Sequence, residues 1–72
     1  MTLDVVLECL ARNTQDAFRN AGIEDGQLVC SAVLTVVELT ARRWGATSDE
    51  AFELALDYAA MVTLDDGNEP GT

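Results

Sequence analysis

Residues 25–45 read DGQLVCSAVLTVVELTARRWG, and this segment contains both ends of one helix around an apolar body. Asp25 is suited to the N-cap, because its carboxylate can accept the free amide hydrogens of the first turn. Gly45 is suited to end the helix, since helices commonly stop at a glycine in the left-handed conformation. Only a narrow polar strip interrupts the apolar circumference, formed by Gln27, Ser31, Thr35, Glu38 and Arg42. The segment therefore predicts a central, largely buried helix over residues 25–44.

A helix is also predicted on the N-terminal side, over residues 2–21. Apolar side chains recur there at three- and four-residue spacing, which places them on one helical face. This predicted face consists of Leu3, Val6, Leu7, Leu10, Thr14, Ala17, Phe18 and Ala21, with Gln15 on the opposite polar face. Gly22 follows as the stop, and Phe18 and Ile23 then form the apolar pair that accompanies a Schellman ending.

A third helix is predicted over residues 47–63. It opens with a capping box, in which Thr47 and Glu50 satisfy each other's backbone amides. One apolar stripe consists of Phe52, Ala55, Ala59 and Val62, and a neighbouring one of Leu54, Tyr58 and Met61. The predicted fold is all-α: a small three-helix bundle over residues 1–64, followed by a short flexible, disordered acidic tail over residues 65–72.

The predicted helices carry more apolar surface than one small bundle can bury. Each helix needs one core-facing stripe, but the second and third carry about two each, with Val33, Val37 and Trp44 on the main stripe of the second. Exposed apolar patches mark interfaces. The candidate interface residues are Val29, Val33, Leu34, Leu54, Leu56, Tyr58 and Met61. The surplus favours a homodimer, and a groove-filling contact with a different protein is the alternative.

The residue types argue against catalysis and against a bound metal or cofactor. The chain has no histidine, the usual general base and metal ligand. Cys9 and Cys30 lie on separate predicted helices, without the paired spacing of a zinc site, and are predicted to be buried reduced thiols. A glycine-rich phosphate loop is also absent from the sequence. We therefore predict a non-enzymatic protein with no cofactor.

The net charge of −9 limits the partners. Nucleic acids and anionic membranes favour basic surfaces, so direct binding to either is not expected. The chain shows no basic leader and no apolar run of the roughly 20 residues that span a bilayer. These features predict a soluble, cytoplasmic protein.

The negative charge is concentrated toward the C-terminus. Residues 47–72 carry seven carboxylates and no cation, whereas residues 1–46 carry six carboxylates and four arginines. Asp65 and Asp66 follow the predicted C-terminus of the third helix, where the helix dipole disfavours an anion by about 0.3–1 kcal/mol. Charges placed against local stability indicate another role. The candidate partner-binding acids are Glu50, Glu53, Asp57, Asp65 and Asp66.

In size and charge the chain resembles the small acidic inhibitors of phages and mobile elements, which include some anti-CRISPR proteins. The resemblance implies an inhibitor or adaptor that acts as a DNA mimic and docks on the basic surface of a nucleic-acid-binding protein. The alternative is a homodimeric structural or accessory module whose acids only provide solubility. The first hypothesis predicts salt-sensitive binding that weakens when the acids are neutralised. The second predicts a dimer that is insensitive to neutralised acids but is broken by a charge at Val33 or Leu56.

Overall fold

A computed structural model describes the backbone of residues 2–67 and the side chains of residues 2–62. This part of the chain forms three α-helices and contains no strand. The helices are α1 (Leu3–Asn20), α2 (Gly26–Arg43) and α3 (Ser48–Gly67). The prediction of an all-α three-helix bundle is confirmed. Across the described residues, no helix has both the length and the apolar character needed to cross a membrane.

The N-termini of α2 and α3 are capped by the predicted side chains. The Asp25 carboxylate accepts the backbone N–H groups of Gln27 and Leu28, at 3.0 and 3.3 Å. At α3, the Thr47 N–H donates to Glu50 Oε1 at 3.0 Å, and the Glu50 N–H donates to Thr47 Oγ1 at 3.2 Å. Each cap satisfies amides that the first helical turn leaves without partners.

The C-termini of α1 and α2 end in Schellman turns. Gly22 has a φ of +79°, and the N–H of Ile23 donates to the carbonyl of Phe18 at 2.9 Å. The same arrangement closes α2 at Gly45, where φ is +110°. Side chains other than glycine rarely adopt these left-handed angles, so both positions require glycine.

The helices run in alternating directions, and α2 packs against both of the others. Leu3 and Leu54 line one groove near the start of α3, whereas Gln15 contacts Val62 farther along it. α1 and α3 therefore run in the same general direction. Short connections at both ends of α2 place it antiparallel to its two neighbours.

The core is built from small side chains. The buried apolar residues of the described chain are Leu7, Ala11, Val33, Val37, Ala41, Ala51, Ala55, Ala59 and Val62. Five of these nine are alanine, and none is aromatic. Because alanine does not hold helices apart, such a core favours a close approach of the helices, above all where α2 meets the three alanines of α3.

Burial divides the predicted stripes at several positions. Phe52 and Trp44 are 50% and 55% exposed, although each was grouped in one apolar stripe with residues that are buried. Gln15 was placed on the polar face but is only 8% exposed, because its Nε2 donates to the Val62 carbonyl at 3.1 Å. Cys9 is exposed rather than buried, Cys30 is half-buried, and both thiols are free.

The end of α3 differs from the predicted boundary. The helix continues to Gly67 instead of ending at residue 63, so Asp65 and Asp66 lie within its last turn. Residues 68–72 of the predicted flexible tail lie outside the described residues.

Candidate protein-interaction surfaces

Four exposed carboxylates follow the outer side of α3 and are called here the acidic strip: Asp49, Glu50, Glu53 and Asp57. Asp49, Glu53 and Asp57 recur every four residues, which separates successive positions by about 6 Å along the helix axis. Like charges at this spacing destabilise a helix by about 0.2–0.5 kcal/mol per pair. This repulsion opposes the stability of the helix, whereas Asp49 and Glu50 in its first turn interact favourably with the helix dipole.

The described arginines that pair with carboxylates do so away from the acidic strip. Arg12 contacts Glu8 at 3.3 Å, Arg19 contacts Asp16 at 3.5 Å, and Arg42 contacts Glu38 at 3.9 Å. All three pairs lie within α1 or α2 and are solvent-exposed, so each adds little stability. Their main consequence is electrostatic, because they neutralise α1 and α2 and leave the field of α3 strongly negative.

The predicted partner-binding acids occupy different positions. Glu53 and Asp57 lie on the strip with exposed side chains, together with Asp49, which the prediction omitted. Glu50 lies there too, but one of its oxygens caps Thr47, so it also stabilises the start of α3. For Asp65 and Asp66 the structure gives the backbone alone.

A groove borders the acidic strip on the side facing α1. Leu3, Ala46 and Leu54 form its apolar floor, and three acids of the strip form its edge: Glu50, Glu53 and Asp57. Next to it, the Tyr58 hydroxyl donates to the carbonyl of Asp4 at 3.2 Å and joins α3 to α1. Burial raises the pKa of Tyr58, and the nearby carboxylates of Asp4, Glu8 and Asp57 raise it further.

The predicted interface residues differ widely in exposure. Val33 is fully buried between the helices, so it belongs to the core and cannot contribute to a surface. Partly buried residues that pack against the core are Val29, Leu34, Leu54, Tyr58 and Met61. Leu56 alone in the predicted set is more than a third exposed, at 46%. Phe52 is exposed but is absent from the predicted set, because its spacing from Ala55 and Ala59 is also the spacing of a core stripe.

Phe52 and Leu56 lie on the side of α3 that faces away from α1. Tyr58 contacts α1, and residues on an α-helix are separated by about 100°. Phe52 and Leu56 are therefore about 120° and 160° around the helix from Tyr58. Since α1 lies on the opposite side, it does not cover these two side chains, which are about half exposed.

The corresponding side of α2 also faces away from α1. Val29 lines a groove together with Gln15 of α1, so this part of α2 faces α1. Leu34 lies five residues later, about 140° around the helix, and Cys30 lies beside it. On the side of the α2–α3 pair that faces away from α1, the two helices place a set of apolar residues, called here the open face: the half-buried Cys30 and Leu34 of α2, and the exposed Phe52, Leu56 and Ala60 of α3.

A smaller apolar patch lies at the C-terminal end of α2, where Leu39, Arg43 and Trp44 surround a shallow depression. Leu39 and Trp44 are more than half exposed. This patch is separate from α3, because Leu39 is about 140° around α2 from Leu34. Leu28 is exposed on the same side of α2 as Leu39.

Comparisons of the chain with models of known protein families, with curated proteins and with solved structures find no match. The functional interpretation consequently depends on the surfaces themselves.

Proposed function

We propose that this chain is a non-enzymatic cytoplasmic protein-binding module, an inhibitor or adaptor that docks through α3 on a basic protein surface. The acidic strip supplies long-range attraction and orientation. The exposed apolar residues beside it supply contact area once the partner is in place.

The observation that carries this proposal is the pairing of two unfavourable features on one helix. Asp49, Glu53 and Asp57 repel one another, and the arginine pairs of the described chain leave them uncompensated. Phe52 and Leu56 expose large apolar surfaces in the next positions around the helix. Neither the repulsion nor the exposed apolar surface stabilises the bundle, and both become favourable in contact with a basic and partly apolar partner.

A nucleic-acid-binding protein is the kind of partner that fits this surface best. Such proteins present grooves lined with lysine and arginine that bind phosphates. A rigid helix with carboxylates at regular spacing can occupy that groove and exclude the nucleic acid. This is how a DNA-mimicking inhibitor of the anti-CRISPR type would act.

Affinity capture from host lysate tests the proposal with a charge-matched control. The test variant is Glu53→Gln/Asp57→Asn, and the control is Glu8→Gln/Asp16→Asn on α1. Both variants remove two negative charges, but only the first changes the acidic strip. We expect the wild type and the control to capture a basic nucleic-acid-binding protein, and the test variant to lose it. Added duplex DNA should displace the captured protein.

Salt dependence provides a second readout. Capture should weaken strongly between about 0.05 M and 0.5 M NaCl, because screening shortens the range of the attraction. Equal loss in both variants would indicate an effect of net charge rather than of the acidic strip. Equal capture by all three proteins, insensitive to DNA, would refute the proposal.

The exposed apolar residues also support a second candidate function, a homodimeric module whose acids only provide solubility. Phe52 and Leu56 could bury each other across a two-fold axis. An antiparallel arrangement of the two α3 helices about such an axis would bring the two acidic strips together, which opposes association. Light scattering after size exclusion distinguishes the candidates: a dimer that persists in Glu53→Gln/Asp57→Asn and dissociates in Leu56→Asp would favour the homodimer.

A further inference from the structure

We infer that the open face is a docking groove for an amphipathic helix of the partner that carries lysine or arginine along one flank. This inference rests on the proposed function and names the element that the partner contributes. The bound helix would lie between α2 and α3 on the side opposite α1. It would complete a four-helix arrangement in which α1 and the partner helix cover the two sides of the α2–α3 pair.

The shape of the surface favours a helix as the occupant. Two antiparallel helices packed through small residues leave a shallow groove on each of their sides, and α1 fills one of them. On the other side, Leu34 and Cys30 belong to α2, and Phe52 and Leu56 belong to α3. Phe52, Leu56 and Ala60 extend over about 12 Å, or two turns, which suits helix-in-groove recognition.

The charge around the groove determines which helix fits. Asp49 and Glu53 lie next to Leu56 around α3, so carboxylates follow the α3 edge of the open face. The α2 edge is close to neutral, because Arg42 contacts Glu38 there. A partner helix with an apolar ridge and cations on the flank beside α3 is complementary to this pattern. A second copy of the chain would offer an α3 that carries acids and no cation, so its charge is not complementary to these carboxylates.

Synthetic peptides of about 18 residues, or five helical turns, test the inference. The probe has a leucine ridge with lysines along one flank. One control peptide has glutamates in place of the lysines, and another has the probe's composition in scrambled order. Binding is measured by titration calorimetry, and the bound surface is located by amide chemical-shift changes in the labelled full chain.

Matched protein variants separate the open face from other exposed apolar residues. Phe52→Ser/Leu56→Ser removes two half-exposed side chains from the face. Leu28→Ser/Leu39→Ser removes two comparably exposed leucines from the far side of α2. We expect the first variant to weaken probe binding about tenfold or more and the second to leave it within about twofold. The shift changes should centre on Cys30, Leu34, Phe52 and Leu56.

Three outcomes would overturn the inference, and each has a different consequence for the proposed function. The probe could instead change the amide chemical shifts of Leu3, Ala46 and Leu54 and bind Phe52→Ser/Leu56→Ser as tightly as the wild type. The open face would then be the wrong site, but the proposal that α3 docks through its acids would stand. If the glutamate or scrambled peptide binds as tightly as the probe, both proposals fail. If the free chain is a dimer that only Phe52→Ser/Leu56→Ser dissociates, a second copy occupies the open face.

Discussion

The inner face of α3 has small apolar residues and its outer face has large ones. The inner face buries Ala51, Ala55 and Ala59 against α2, whereas the outer face exposes Phe52 and Leu56. Burial of large apolar groups is the main favourable term in folding, so a chain optimised only for stability would exchange these positions. The comparison indicates that the inner face determines the fold and that the outer face is available for binding.

The largest expected difference between buried and exposed positions comes from two truncations. Leu7→Ala should destabilise the bundle by about 2–5 kcal/mol, because Leu7 is fully buried and its loss leaves a cavity. Phe52→Ala removes a larger side chain but should cost about 1 kcal/mol or less, since half of that side chain is already in water. Urea unfolding of both variants measures the difference. A larger loss for Phe52→Ala would mean that the outer face also belongs to the core.

Enlarging an alanine tests the inner face from the opposite direction. Ala55 is fully buried between α2 and α3, so Ala55→Leu should overpack the contact and destabilise by about 1–3 kcal/mol. Ala60 lies on the exposed side of the same helix, and Ala60→Leu should change stability by about 0.5 kcal/mol or less. Thermal unfolding of the pair provides the measurement. Equal effects would show that α2 and α3 do not approach closely through the alanines.

The sequence was sufficient to predict the helices and most of their ends. Asp25, Gly22, Gly45 and the capping box of Thr47 act through local backbone geometry, which does not depend on the rest of the fold. The C-terminus of α3 was predicted less well, because no glycine or proline follows Thr63 directly and a run of acids was interpreted as a tail. Local signals therefore predicted the three-helix fold, and their absence left one boundary uncertain.

The sequence was not sufficient to predict which side of each helix is buried. An apolar arc covers more than one possible core direction, and the choice depends on how closely neighbouring helices approach. In α3 the alanines are buried and Phe52 is exposed. In α1 Gln15 is buried because a carbonyl of α3 accepts its amide hydrogen. Glu50, Glu53 and Asp57 could be selected from the sequence because they share one stretch without cations, but the apolar surface beside them depends on the position of α1.

Two substitutions within the acidic strip should change the free energy of unfolding by smaller amounts and in opposite directions. Glu50→Ala should destabilise by about 0.3–1.5 kcal/mol, because Glu50 closes the capping box with Thr47. Glu53→Ala should be neutral or stabilise by a few tenths of a kcal/mol, since it relieves repulsion with Asp49 and Asp57. Both variants remove one charge, so net charge cancels in the comparison. Equal destabilisation by the two variants would mean that Glu53 also contributes to the fold.

The smallest expected effect concerns the contact that positions α1 on its side of α3. Folding raises the pKa of Tyr58 above its usual 10.0, through burial first and then through Asp4, Glu8 and Asp57. A raised pKa means that the folded state favours the protonated hydroxyl, which is the form that donates to the Asp4 carbonyl. Stability from this group is therefore complete below about pH 10 and is lost as the pH rises through the folded pKa.

Tyr58→Phe removes both the hydroxyl and its titration. The variant should be less stable than the wild type at neutral pH, and the difference should narrow above about pH 10 as the wild type loses its hydrogen bond. Urea unfolding from pH 7 upward measures that difference, and absorbance of the phenolate reports the titration directly. A difference that stays constant with pH would mean that the Tyr58 hydroxyl does not join α1 to α3. This hydrogen bond would then not explain why α1 packs on one side of the α2–α3 pair and leaves the other side open.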